Sequence, residues 1–166
     1  ESTLPEELTG EYAEDVLAIA KSQLGYTESS RNYQVMEDGS STKGYTRYGV
    51  WYGVPYGDWC AMFVSFCVNY AGADEVPLDS VCNTYIEQLI EAELYRDPEY
   101  LPKPGDIVFF DWQDDGTYDP EHVGAVIAVT EDWIYTIEGN SGNRVTVCRY
   151  EPEDPGILGY GKLNWK

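Results

Sequence analysis

Apolar positions follow a helical period in the first part of the chain and a strand-like period in the second. From Glu11 to Leu24, the residues Val16, Leu17, Ile19, Ala20 and Leu24 recur at helical spacing, and Gly25 supplies the stop. From Cys60 to Ala71 the run CAMFVSFCVNYA is almost wholly apolar and ends at Gly72, which predicts a helix buried on all sides. A third helix is predicted over Asn83–Leu94, with Ile86, Leu89 and Ile90 on one stripe, before Pro98, Pro102 and Pro104 break the chain. Beyond them, Asp106–Asp111, Val123–Thr130, Trp133–Glu138, Arg144–Tyr150 and Ile157–Leu163 have the composition and boundaries of strands. Helices first and strands after predict an α+β fold, with an antiparallel sheet and an early helix packed on it. Residues 28–58 are rich in Gly, Tyr and Ser with no sustained period, and predict a long structured loop region. Residues 1–10 are expected to form a loose leader, and 11–166 a single domain.

Composition narrows what such a domain does. The chain has 166 residues, 43% apolar and 14% aromatic, enough to build a sizeable core. Ten Lys and Arg face 30 Asp and Glu, for a formal charge of -20. A field of that sign repels phosphate backbones and anionic bilayers, so neither nucleic acid nor membrane is an expected partner. No apolar run approaches the roughly 20 residues of a membrane helix. The chain opens at Glu1 without Met and is read as a processed or trimmed start. The four cysteines, 60, 67, 82 and 148, form no CxxC pair, and one His offers no metal cluster, so a structural zinc site is not expected.

Cys60 opens the apolar helix. A helix N-terminus presents unpaired N–H groups and a partial positive charge, which favour thiolate over thiol and could stabilise an oxyanion. Core packing is the default reading of a cysteine, and Cys67, seven residues on and roughly 10.5 Å along the axis, fits that default. Cys60 departs from it once a base is available. His122 is the single histidine, and it sits at the mouth of the strand HVGAVIAVT. A Cys–His enzyme needs one such residue, far in sequence and near in space. Glu138 and Asn140, at the end of the next strand, are candidates to orient the imidazole. A hairpin centred on Glu131 would put Asn140 opposite His122 and Glu138 opposite Gly124, on the face of His122. A two-residue turn at Glu131–Asp132 would shift the register by one and turn Glu138 away, so a loop of odd length is expected. Gly124 would leave room beside the acid.

These segments together resemble the CHAP family, the cysteine, histidine-dependent amidohydrolases and peptidases. YTRYGVWYGVPYGDWCAMFVSFC (45–67) is similar to its nucleophile segment and KPGDIVFFDW (103–112) to its first core strand. EHVGAVIAV (121–129) is similar to the histidine strand, IEGNSG (137–142) to the third-residue motif and LGYGK (158–162) to the closing strand. The resemblance implies a papain-like fold and cleavage of amide bonds in bacterial peptidoglycan, either next to muramic acid or within the stem or cross-bridge. It implies Cys60 as nucleophile, His122 as base, Glu138 as orienting acid and Asn140 as the polar residue two places on. Backbone N–H at Cys60 is the expected oxyanion donor. Trp51, Tyr52 and Trp59 are candidates for the substrate groove, with packing around the helix an equal alternative.

The segment Asp111–Gly116 resembles the start of a calcium loop, but Gln113 departs from the pattern and the twelfth position is His122. A solvated acidic turn is the preferred reading, and no cofactor or metal is expected. The partner is then peptidoglycan, met by a secreted or wall-associated monomer. A catalytically inert wall-binding module and an acyl transferase using the same thioester are the competing functions.

Overall fold

The computed structural model describes residues 4–35, 39, 42–73, 76–112 and 120–163. Among the described residues four helices precede the main sheet: α1 (Tyr12–Ser22), α2 (Arg47–Tyr52), α3 (Cys60–Tyr70) and α4 (Cys82–Glu91). A small hairpin, β1 (Tyr33–Val35) with β2 (Thr42–Gly44), lies between α1 and α2. The strands β3 (Tyr95–Arg96), β4 (Ile107–Phe110), β5 (His122–Val129), β6 (Ile134–Glu138), β7 (Thr146–Tyr150) and β8 (Ile157–Gly161) form one antiparallel sheet in the order β3-β8-β4-β5-β6-β7. The α+β arrangement predicted from the change of period is the one found. The region 28–58, expected as loop, contains β1, β2 and α2, and the edge strand β3 was not anticipated. These elements are three, three, six and two residues long, too short to develop a period.

α3 is the central helix. Nine consecutive residues, Cys60 to Val68, are buried, as its unbroken apolar run requires. One face, through Phe63 and Phe66, meets Tyr48 of α2, and the core continues through Ile107, Phe109, Val123 and Ile137 of the sheet. A second cluster, with Val108, Phe110, Val126, Ile134, Ile157 and Tyr160, forms among residues that alternate with these along the strands. α1 docks through Val16, Ile19 and Ala20, while the Tyr12 hydroxyl donates to the Gly105 carbonyl at 3.0 Å. In the first turn of α1, the buried Asp15 carboxylate accepts from the Thr9 amide and hydroxyl and from the Gly10 amide just ahead of the helix.

The hairpin β5–β6 departs from the expected geometry. Its turn is the two-residue Glu131–Asp132 connection, closed by the Thr130 amide donating to the Trp133 carbonyl at 2.8 Å. Val129 pairs with Ile134 and Ala128 with Tyr135, in the register of that short turn. Between Val126 and Ala128 the register shifts, leaving Ile127 as a β-bulge, and Val126 then pairs with Thr136 and Ala125 with Ile137. The odd-length loop is therefore corrected. The extra residue lies inside the strand instead of in the turn, and restores the same alignment of Gly124 with Glu138.

Candidate active site

The first helical bond of α3 runs from the Phe63 amide to the Trp59 carbonyl, so Cys60 sits in the turn whose N–H groups lack intrahelical acceptors. Its cap residue is fixed from behind. Trp59 is fully buried, stacks on Tyr48 at 5.4 Å between ring centroids, and donates its indole N–H to Glu28 at 2.8 Å. Glu28 also accepts from the Gly44 amide, so one carboxylate ties β2 to the start of α3. Trp59 is thus a packing residue, not a groove residue. Trp51 and Tyr52 are half-buried: Trp51 contacts Phe66 and Tyr70 toward the far end of α3, and Tyr52 leans on Trp51.

His122 is the first residue of β5, and from the strand mouth its ring meets two partners. Its Nε2 lies 2.7 Å from Glu138 Oε1, which leaves Nδ1 as the nitrogen for Cys60, whose thiol is within hydrogen-bonding reach. Glu138 is buried at the end of β6. Its other oxygen accepts from the Thr136 hydroxyl and, at 2.8 Å, from Tyr150. A Cβ at Gly124 would come within 2.6 Å of Glu138 Cγ, so the glycine makes the room the acid occupies. The strand pairing expected between Asn140 and His122 does not form: β6 ends at Glu138, and Asn140 follows it with left-handed backbone, φ of 60°. Glu138 alone takes the histidine nitrogen.

Charge follows from this geometry. A hydrogen bond from the neighbouring Cys82 thiol, 3.9 Å away between sulfurs, is the largest influence on Cys60. It outweighs burial together with His122 and the Ala61 amide, and the thiol is lowered to about 5. Burial works against charge on His122, but Cys60 and Glu138 overcome it and raise the imidazole to about 10. Around neutral pH the pair is thiolate and imidazolium, held by a buried carboxylate. Cys67 shows the contrast, since burial alone pushes its thiol far up.

Two residues of the site were missed in the sequence. Cys82 opens α4, and in sequence nothing sets it apart from the other cysteines. Trp112 is half exposed, with its ring 5.5 Å from that of His122 and stacked on Phe110. Alternation along KPGDIVFFDW could have found it: Phe110 pairs with His122, and Trp112 lies two residues on. Among the described residues no group of three or more His, Cys, Asp or Glu could hold a metal ion. Gln113 and the rest of the acidic turn to Gly116 lie outside the described residues. A groove of about 590 Å³, lined by Leu101, Pro102, Val129, Pro152 and Tyr160, lies around the far end of β5 and includes none of Cys60, His122 and Glu138.

The CHAP domain matches residues 49–140, more than half of the chain and the span that carries Cys60, His122 and Glu138. The chain belongs to the CHAP domain family. Among solved structures, it is similar to a lipoprotein-like protein of the NLP/P60 family from Staphylococcus aureus, with 14% identity and a TM-score of 0.50, covering 98% of this CHAP chain and 44% of the other. NlpC1 from Trichomonas vaginalis matches with 16% identity and a TM-score of 0.49, covering 97% and 47%. This CHAP chain therefore spans less than half the length of either. No curated protein matches it in sequence. The fold is papain-like α+β, with the helices packed on an antiparallel sheet.

Proposed function

We propose that this CHAP domain is a cysteine hydrolase of bacterial peptidoglycan, with residues 11–166 as one catalytic unit that acts as a secreted or wall-associated monomer. The observation that carries the reading is the buried chain from Cys60 to His122 to Glu138, with Nε2 2.7 Å from the acid. A thiolate, an imidazolium and an orienting carboxylate at a helix N-terminus are what amide cleavage through a thioester requires.

The Cys60 thiolate attacks the amide carbonyl, and the N–H groups at the start of α3 stabilise the oxyanion. The His122 imidazolium gives its proton to the departing amine as the C–N bond breaks. Neutral His122 then draws a proton from water, which attacks the thioester and frees Cys60. Glu138 holds the ring tautomer and the charge that appears on it. Trp112, the exposed aromatic beside His122, offers a flat surface to the bound sugar or stem peptide. An amidase and a stem or cross-bridge endopeptidase would use this same set.

Digestion of purified peptidoglycan with mass spectrometry of the fragments tests the function and reports the bond. New free lactyl carboxyls on the amino sugar, with intact stem peptides freed at their first residue, mark the amidase, and new termini within the stem or cross-bridge mark the endopeptidase. Undiminished digestion by Cys60→Ala would exclude the proposed nucleophile.

A further inference from the structure

Cys82 has no part in amide cleavage beyond its contact with Cys60, yet it is placed with care. Ser65 of α3 donates to the Asp79 carbonyl at 2.8 Å and accepts the Asp79 amide at 3.1 Å, pinning the segment that leads into α4. Gln88 of α4 closes back on the Asp79 carboxylate at 2.6 Å. The result sets the first residues of two helices side by side, with Cys60 and Cys82 sulfurs 3.9 Å apart and both side chains nearly buried. A disulfide needs about 2.05 Å, which modest side-chain rotations on the two cysteines can close. Neither other thiol offers this. Cys67 lies in the core, and Cys148 of β7 contacts Ser141.

We propose that Cys60 and Cys82 are a reversible disulfide site, with Cys82 as the resolving thiol that protects the nucleophile against hydroperoxides. The Cys60 thiolate attacks the terminal peroxide oxygen. The S–O bond forms, the O–O bond breaks, and the departing oxyanion takes a proton from His122, leaving Cys60 as a sulfenic acid oxidised by two electrons. Neutral His122 then accepts the Cys82 proton, and the Cys82 thiolate attacks the Cys60 sulfur. The S–S bond forms, and the departing hydroxide leaves as water with that proton. Overall, two thiols and one hydroperoxide give a disulfide, an alcohol (water, when the oxidant is hydrogen peroxide) and one water. The hydrogen bond and charge of Cys60 are large parts of what raises the Cys82 thiol, so the loss of that charge at the sulfenic stage releases Cys82 to attack.

The inference rests on Cys60 as the reactive thiol and not on the identity of its substrate. The protein is treated with hydrogen peroxide at neutral pH, quenched with catalase, alkylated and mapped without reduction. The expected product is lighter by two hydrogen atoms, carries a cross-linked Cys60–Cys82 peptide, and regains both thiols and wall digestion with dithiothreitol. In Cys82→Ser, Cys60 is expected to advance to sulfinic acid, which dithiothreitol does not reverse. Sulfinic Cys60 beside alkylated Cys82 in the parent protein would overturn the proposal, as would a cross-link to Cys148. The mass readout holds even if walls are not the substrate, so the two readings fail separately.

Discussion

Cys60 and His122 lean on a carboxylate that is itself fully engaged, and this sets the pH behaviour. With the thiol lowered to about 5 and the imidazole raised to about 10, hydrolysis should climb as Cys60 ionises and fall as His122 loses its proton, giving a broad plateau between. Glu138→Gln removes a charge that raises His122. The alkaline limb should move down toward the ordinary histidine range near 6.5, with kcat/KM lower by about 100-fold. A kcat/KM profile of both proteins on a soluble stem-peptide substrate checks this; an unmoved alkaline limb would remove Glu138 from the mechanism. Gly124→Ala tests the same contact from the other side. Its Cβ would press on Glu138 Cγ, so the acid must shift from His122, and activity should fall roughly tenfold or more while the fold persists. A crystal structure or circular dichroism separates the two effects. The sequence pointed to Cys60, His122 and Glu138 because their chemistry needs particular residue types at particular strand positions. The expected pairing of Asn140 with His122 fails because β6 ends at Glu138, a boundary that alternation does not reveal. Trp59 was misassigned because an aromatic beside a nucleophile reads the same whether it faces core or groove.

α3 and β6 meet where there is no side chain to keep them apart. A Cβ at Gly139 would lie 2.5 Å from Phe63 Cβ, so the glycine allows the end of β6, and Glu138 with it, to approach the helix that carries Cys60. Gly139→Ala should therefore cost about 1–3 kcal/mol of stability through overpacking, a drop of several degrees in Tm by calorimetry. It should also lower kcat more than KM, because the acid-bearing strand and the nucleophile helix are driven apart. An unchanged Tm would mean that the two elements have slack the structure does not show. α1 announced itself through eleven residues of helical period, and α3 and β5 through apolar runs of eleven and eight residues. The hairpin register was legible only in its result. Face matching demanded that Glu138 share a side with His122, and that was right. Whether the extra residue sat in the turn or at Ile127 depended on local twist, to which a binary pattern is blind. α2 and β1–β2 are held by particular bonds, such as the Thr46 hydroxyl on the Gly49 amide, and short elements of that kind leave no periodic trace.

At the scale of the fold, these 166 residues present a charge of -20 to a proposed substrate that is itself acidic, since peptidoglycan stems end in carboxylates. Two negative surfaces repel over the screening length, about 30 Å at 0.01 M salt and about 8 Å at 0.15 M. The charge excess is not buried: acids such as Glu99, Glu121, Glu131, Glu151 and Asp132 are exposed. Encounter with an intact wall should therefore be slow at low salt. Digestion of purified walls should speed up by up to about tenfold as ionic strength rises between these limits, an association effect carried by the net field. Hydrolysis of a small, neutral stem-peptide amide should stay nearly flat over the same range, because the reacting groups are buried and poorly screened. The ratio of the two rates, measured by turbidity and by amine release, isolates the encounter step from the chemistry. Digestion that slows with salt would instead mean that a local set of the ten basic residues grips the wall, and that the net charge does not govern the approach.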